Sequence, residues 1–126
     1  MRGACAAVLA LAAGCGGSEA GERRIASNLG TYTVSLRSIP HPIPANEPFE
    51  LVFRVAPDAP DLAVEVDARM PQHFHGMNRV PRVSRRPDGS FRAEGMLLHM
   101  SGRWELTIDI SQGGRTERAQ TDVELP

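Results

Sequence analysis

The chain has 126 residues, and its 14 basic side chains nearly balance its 15 acidic ones, giving a formal net charge of -1. That length supports one domain. All the basic residues are arginines spread along the chain, which argues against nucleic-acid binding and against a polybasic membrane-surface role. The 12 glycines, 10 prolines and 5% aromatic residues favour short strands with turns over long helices.

The N-terminal segment has the features of a secretory signal: one arginine, a short Ala/Leu/Val run, and small residues before Cys15. Residues 11–15, Leu-Ala-Ala-Gly-Cys, resemble a bacterial lipobox, in which cleavage occurs before a cysteine that carries lipid. We therefore predict a lipoprotein signal peptide over residues 1–14 and lipidation of Cys15. The alternative is an ordinary signal peptide with an incidental cysteine.

Cleavage would remove Cys5 and leave an acylated Cys15, so the mature chain has no disulfide and no thiolate metal ligand. Residues 15–30 are small, polar and aperiodic, and we predict that they form the lipidated cysteine and a flexible tether. One domain is then predicted over residues 31–126. Two acyl chains suffice for stable anchoring, which places the domain in the cell envelope, on the periplasmic or outer face of a membrane.

Beyond the tether, apolar residues recur at every second position, which is the period of a strand with one buried face. The clearest example is the run Trp104, Leu106, Ile108 and Ile110. Similar runs start near residues 32, 49, 62, 91 and 119, and a weaker one covers 80–85. About seven short strands of this kind predict an all-β fold, an antiparallel β-sandwich of immunoglobulin-like type.

Methionine and histidine are concentrated in one part of the chain. Beyond the initiator there are four of each, and seven of these eight lie between residues 70 and 100. Thioether sulfur is a soft donor and imidazole a borderline one, so the mixture suits copper, with Cu(I) favoured over Cu(II). Zinc rarely takes thioether ligands, and the absence of a thiolate excludes a blue-copper centre.

Strand parity separates predicted ligands from predicted core. Met70 and Met100 share the parity of buried neighbours and are assigned to the core, although a bulge at Gly102 would change the parity of Met100. The side chains expected to face outward and bind metal are His73, His75, Met77, Met96 and His99. Taken singly, each of them reads more readily as solvated histidine or core methionine, and only their clustering favours metal binding.

The sequence also resembles a known family. The run Met70-Pro71-x-His73-x-His75-Gly76-Met77 and the run Met100-x-Gly102-x-Trp104 are similar to those of the YtkA-like domain and the related FixH-like proteins. The resemblance covers about residues 31–125. It implies a small extracytoplasmic immunoglobulin-like sandwich, often membrane-tethered, and, for FixH-like members, association with copper-transporting ATPases and cytochrome oxidase assembly.

The leading functional hypothesis is a membrane-anchored extracytoplasmic copper-binding protein, a copper chaperone or metal-handling accessory. The alternative is a metal-free β-sandwich module that docks onto an envelope or transporter complex. An enzyme is not expected, because no nucleophile elbow, free cysteine or carboxylate pair accompanies the histidines.

Overall fold

The computed structural model describes residues 21–126. This part of the chain folds into two antiparallel sheets that pack face to face. Its strands are β1 Arg23–Ala26, β2 Thr33–Ile39, β3 Phe49–Ala56, β4 Ala63–Met70, β5 His75–Gly76, β6 Arg82–Arg85, β7 Phe91–Met96, β8 Gly102–Gln112 and β9 Arg115–Leu125, with one 3₁₀ turn, Pro71–His73.

One sheet has the strand order β1-β2-β3-β7-β6, and the other has the order β5-β4-β8-β9. The predicted all-β sandwich is confirmed, with nine strands in place of about seven. Buried and exposed side chains alternate along the strands as expected: Val34, Leu51 and Ile110 point inward and are fully buried, while their neighbours along each strand are more exposed. No helix in residues 21–126 is long and apolar enough to cross a membrane.

The predicted tether is too long at its C-terminal end. Residues 23–26 form β1, which pairs with β2 in the register Arg23 to Leu36 and Ala26 to Thr33. Ser27 is buried and bridges to Ala119 of β9. The domain therefore begins before residue 31. The sequence did not indicate this strand, because the polar side chains of an edge strand conceal the strand period. The predicted signal peptide and Cys15 lie outside the described residues.

All strands that flank the Met/His segments meet at one end of the sandwich. β2 ends there at Ile39 and β3 begins nearby, since Ile39 pairs with Glu50. β7 and β4 also end there, and β8 begins there, because Gly102 pairs with Leu125 at the end of β9. We call this the loop end; it consists of the connections 40–48, 71–81 and 97–101. The opposite, turn end carries the connections 27–32, 57–62, 86–90 and 113–114.

A buried carboxylate joins the two sheets at the turn end. The Ser27 hydroxyl donates a 2.7 Å hydrogen bond to Glu117 Oε1, and the Thr31 amide donates to the same oxygen over 3.2 Å. The amide of Tyr32 in turn donates to the Ser27 hydroxyl. Hydrogen bonding from Thr31, with a further contribution from Ser27, lowers the pKa of Glu117 below its ordinary value of 4.5.

This carboxylate makes stability depend on pH. Because the folded-state pKa lies below the unfolded one, the contribution is fully present above about pH 4.5 and is lost as pH falls through the folded pKa. We expect Glu117→Gln to lower the thermal midpoint at pH 7 and the difference from wild type to shrink below pH 4. Thermal unfolding across pH 3–8 measures this, with exposed Glu47→Gln as the control. A difference that persists unchanged at pH 3 would contradict the assignment.

Candidate metal centre

His73 and His75 lie on either side of a sharp change in backbone direction. Pro71 opens the 3₁₀ turn that ends at His73, and Phe74 follows in the left-handed region with φ 53°. His75 then pairs with Met70 at the edge of the β4 sheet. In an extended backbone, side chains two residues apart point to the same side. The two imidazoles do lie together, with ring centroids 5.8 Å apart, but the turn brings them there.

A third imidazole joins these two from the β7–β8 connection. The ring of His99 lies 5.2 Å from that of His75, centroid to centroid, and the planes are inclined by 32°. His75 is thus the middle ring of three. Two segments that are separated by more than twenty residues of sequence therefore bring three of the five predicted ligands together, and we call this group the histidine trio: His73, His75 and His99.

Trp104 packs against two rings of the trio from the side of the hydrophobic core. It is fully buried, and its indole meets the rings of His75 and His99 edge to face, at centroid distances of 6.0 and 5.5 Å. Its Nε1 donates a 3.0 Å hydrogen bond to the carbonyl of Met100, which fixes the β7–β8 connection over the indole. The Trp104 position is thus part of the core and of the site at once.

Exposure differs across the trio. His73 is exposed, while His75 and His99 are half-buried. The Nδ1 atom of His99 is buried and has no hydrogen-bond partner among residues 21–126. A buried polar nitrogen without a partner is destabilising, and an ion or a water molecule at that position would satisfy it. The predicted outward orientation of His99 is therefore only partly right.

Met77 follows His75 by two residues, at the start of the connection to β6. It is half-buried and packs against the hydrophobic core, and its amide donates to the carbonyl of Ala68 over 3.2 Å. Gly76 precedes it on the short strand β5. The last three residues of the run, His75, Gly76 and Met77, are thereby held against the end of β4.

The outward orientation predicted for Met96 is wrong. Met96 is 0% exposed and belongs to the core. Between Phe49–Met96 and Leu51–Ala93 the β3–β7 register shifts, and Gly95 adopts φ 82°. The irregularity inserts one residue, so Met96 turns inward where strict alternation would turn it outward. Its thioether is enclosed in the hydrophobic core.

The assignment of the two flanking methionines is right in one case and wrong in the other. Met70 is buried, and its methyl group lies 2.8 Å from where a Cβ on Gly102 would stand; a side chain at position 102 would displace this methyl group and would be strained by the φ of 121°. Met100 was assigned to the core but is 39% exposed at the loop end. It follows His99 in the chain, so its exposed thioether is a candidate donor that the assignment from strand parity had left out.

His41 also lies at the loop end, a placement that its isolated position in the sequence did not indicate. It lines a cleft of about 340 Å³ together with Leu36, Ile43 and Leu125. A Cβ on Gly21 would overlap its ring, so the imidazole packs directly on the first described residue. The partners of His41 differ from those of the trio, and the Pro-rich connection explains this separation.

His73 stacks on His75, His99 is tilted against His75, and the three rings do not converge on a point. The planes of His73 and His75 are inclined by 23°, and imidazole lone pairs lie in the ring plane, so their nitrogens run side by side. Accordingly, within residues 21–126 no group of three or more His, Cys, Asp or Glu side chains is arranged to share a metal ion. Methionine sulfurs are outside that set of donors.

Comparison with known proteins adds no constraint on this site. No family model matches the chain, and no curated protein or solved structure matches it either.

Proposed function

We propose that this chain is a membrane-anchored extracytoplasmic copper-binding protein that holds Cu(I) at its loop end and hands it to a partner. One observation carries the proposal: three imidazoles from two distant segments lie within ring contact of one another, over a buried tryptophan, and one has an unpartnered buried nitrogen. A surface histidine has no structural need for two such neighbours. The resemblance to YtkA-like and FixH-like proteins points the same way.

The proposed donors are the histidine trio with thioethers from Met77 and Met100. Imidazole and thioether together favour Cu(I), which accepts low coordination numbers and soft ligands. Rotation of exposed His73 and of His75 about their side-chain torsions would turn their nitrogens from the stacked arrangement toward a shared ion, and exposed rotamers interchange within nanoseconds. Met96 is not among the donors, because it is enclosed in the core.

The residues have separate tasks in this proposal. Trp104 and the carbonyl of Met100 hold His99 in place, so that one ligand is already positioned before the ion arrives. Exposed His73 is the ligand from which a partner would displace the ion, since it borders solvent. Such a site binds and transfers, and the proposal includes no catalytic step.

Metal stoichiometry tests the proposal directly. The full-length protein, expressed in a host that processes lipoproteins and purified without a tag, is exposed anaerobically to Cu(I) and competed against a chromophoric Cu(I) chelator. We expect one Cu(I) per chain with a sub-micromolar dissociation constant, and weaker Zn(II) binding. Failure to compete with the chelator would overturn the proposal.

The metal-free docking module remains the second candidate, and the stacked rings favour it. No three His, Cys, Asp or Glu side chains in residues 21–126 are arranged around a common point. As a docking module, the trio would contact a partner protein and would not coordinate a metal ion. In that case a partner pulled down with the wild-type protein would be retained in chelator and by the His73→Ala/His75→Ala variant. A copper-dependent complex would be lost under both conditions.

A further inference from the structure

The hydrophobic surface of the described chain is distributed unevenly between the two ends of the sandwich. Phe74 is 97% exposed, and Ile39, Val80 and Met100 also expose large apolar side chains at or beside the loop end. At the turn end, Leu29 has this character. An aromatic side chain that is almost fully exposed, on a residue held at positive φ, has no stabilising role in the isolated domain.

The loop end also carries few fixed charges. Its three connections contain 25 residues, of which two, Glu47 and Arg79, are acidic or basic residues other than histidine. The four connections of the turn end are shorter and carry Asp58, Asp61, Arg86 and Asp88. Burial of charged groups is costly, so the loop end loses less free energy on entering a partly dehydrated environment than the turn end does.

The start of the described chain lies at this same end. Arg23 pairs with Leu36, and Gly21 packs on His41 of the β2–β3 connection. Five residues lie between Gly21 and Cys15, so the two are six steps apart along the chain, and at about 3.3–3.6 Å per step they are separated by at most about 20–22 Å. β8 has 11 residues, so at about 3.3 Å per residue the sandwich is about 35 Å long. The turn end therefore lies too far from Gly21 to reach a bilayer that holds Cys15.

We propose that the loop end rests on the lipid bilayer, with Phe74 inserted into the interfacial region and Met100 and Ile39 beside it. The inference rests on the lipidation of Cys15 included in the proposed function. Apolar side chains that enter the boundary between headgroups and acyl chains add binding free energy in proportion to their buried area. The histidine trio would then face the membrane, and the ion would be accessible to a membrane-embedded acceptor and shielded from soluble competitors.

Fluorescence quenching in vesicles tests the orientation. The full-length lipidated chain is reconstituted into vesicles of phosphatidylethanolamine and phosphatidylglycerol (3:1) that contain lipid spin-labelled near the headgroup. An acylated Cys15 leaves an introduced cysteine as the free thiol, so a fluorophore is attached at Gln72→Cys in the loop end or at Leu29→Cys in the turn end. We expect several-fold stronger quenching at position 72, reduced when Phe74→Glu is added.

The outcomes separate this inference from the proposed function. Equal quenching at both positions, or an unchanged signal with Phe74→Glu, overturns the orientation while leaving copper binding untouched. Recovery of the chain in the soluble fraction after alkaline washing, with an unmodified Cys15 thiol by mass spectrometry, overturns the anchor and the orientation together. Membrane retention with no quenching at position 72 also overturns the lipid contact. Thermal unfolding of each labelled variant establishes that it is folded.

Discussion

Replacing His73 and His75 together by alanine is expected to lower the Cu(I) affinity by at least ~100-fold. Loss of a residue that merely orients a metal ligand typically costs about 10–100-fold in affinity, and this variant removes two proposed ligands. The remaining imidazole, His99, and the thioethers would leave a weak site. The measurement is anaerobic competition with a chromophoric Cu(I) chelator at constant pH, because proton competition alters the affinity of imidazole ligands.

Two controls make this result specific. His41→Ala removes a histidine from the same end of the sandwich, but from the separate cleft beside Gly21, and we expect its Cu(I) affinity to equal that of wild type. Circular dichroism and the thermal midpoint check that the double variant is folded; His73 is exposed and His75 half-buried, so little stability is lost. If the double variant and wild type bound Cu(I) with equal affinity, the histidine trio would not be part of a metal site.

Replacing Met96 by alanine is expected to destabilise the domain by about 2–5 kcal/mol, which is the range for a fully buried methionine whose cavity closes only partly. Met96 is 0% exposed and pairs with Phe49 across the register shift. Urea unfolding at neutral pH, followed by the fluorescence of buried Trp104, measures the change. The comparison variant Met96→Leu conserves volume and should cost less than about 1.5 kcal/mol.

Cu(I) binding separates the roles of Met96 and Met100. We expect Met96→Leu to bind Cu(I) as wild type does, because its sulfur lies in the core. Met100 is 39% exposed, so Met100→Leu should leave the unfolding free energy nearly unchanged while weakening Cu(I) binding. The reverse pattern, with weaker binding in Met96→Leu and full affinity in Met100→Leu, would contradict this. It would support the prediction from strand alternation, in which Met96 is a ligand and Met100 belongs to the core.

Met96 and Met100 show where strand alternation no longer predicts the direction of a side chain. Alternation predicted the inward residues of β2, β3 and β8 correctly, because each of these strands keeps one face against the other sheet for most of its length. At Gly95 the backbone takes a positive φ and the β3–β7 register shifts, which reverses the parity of the residue that follows. A glycine in a strand marks such a site, but the sequence offered Gly102 as readily as Gly95.

The tether boundary illustrates a different limit. Residues 23–26, Arg-Arg-Ile-Ala, have no apolar alternation, because β1 is an edge strand and three of its four side chains are exposed. Its place is set by backbone pairing with β2 and by contacts from Arg23 to Thr121 and to the carbonyl of Asp122. Backbone hydrogen bonds leave no record in side-chain hydropathy, so this strand could not be recognised from the sequence.

The sequence by itself determined that the chain forms an all-β sandwich, and it identified the two Met/His segments, since both follow from local residue type and a two-residue period. Tertiary structure decided which donors meet. His73, His75 and His99 come together because β4 ends and β8 begins at the same end of the sandwich, where Trp104 supports the rings. One irregular register in the β3–β7 pairing turns Met96 into the core, and Met100 is exposed in the connection that follows β7. Such long-range pairing is a property of the folded chain.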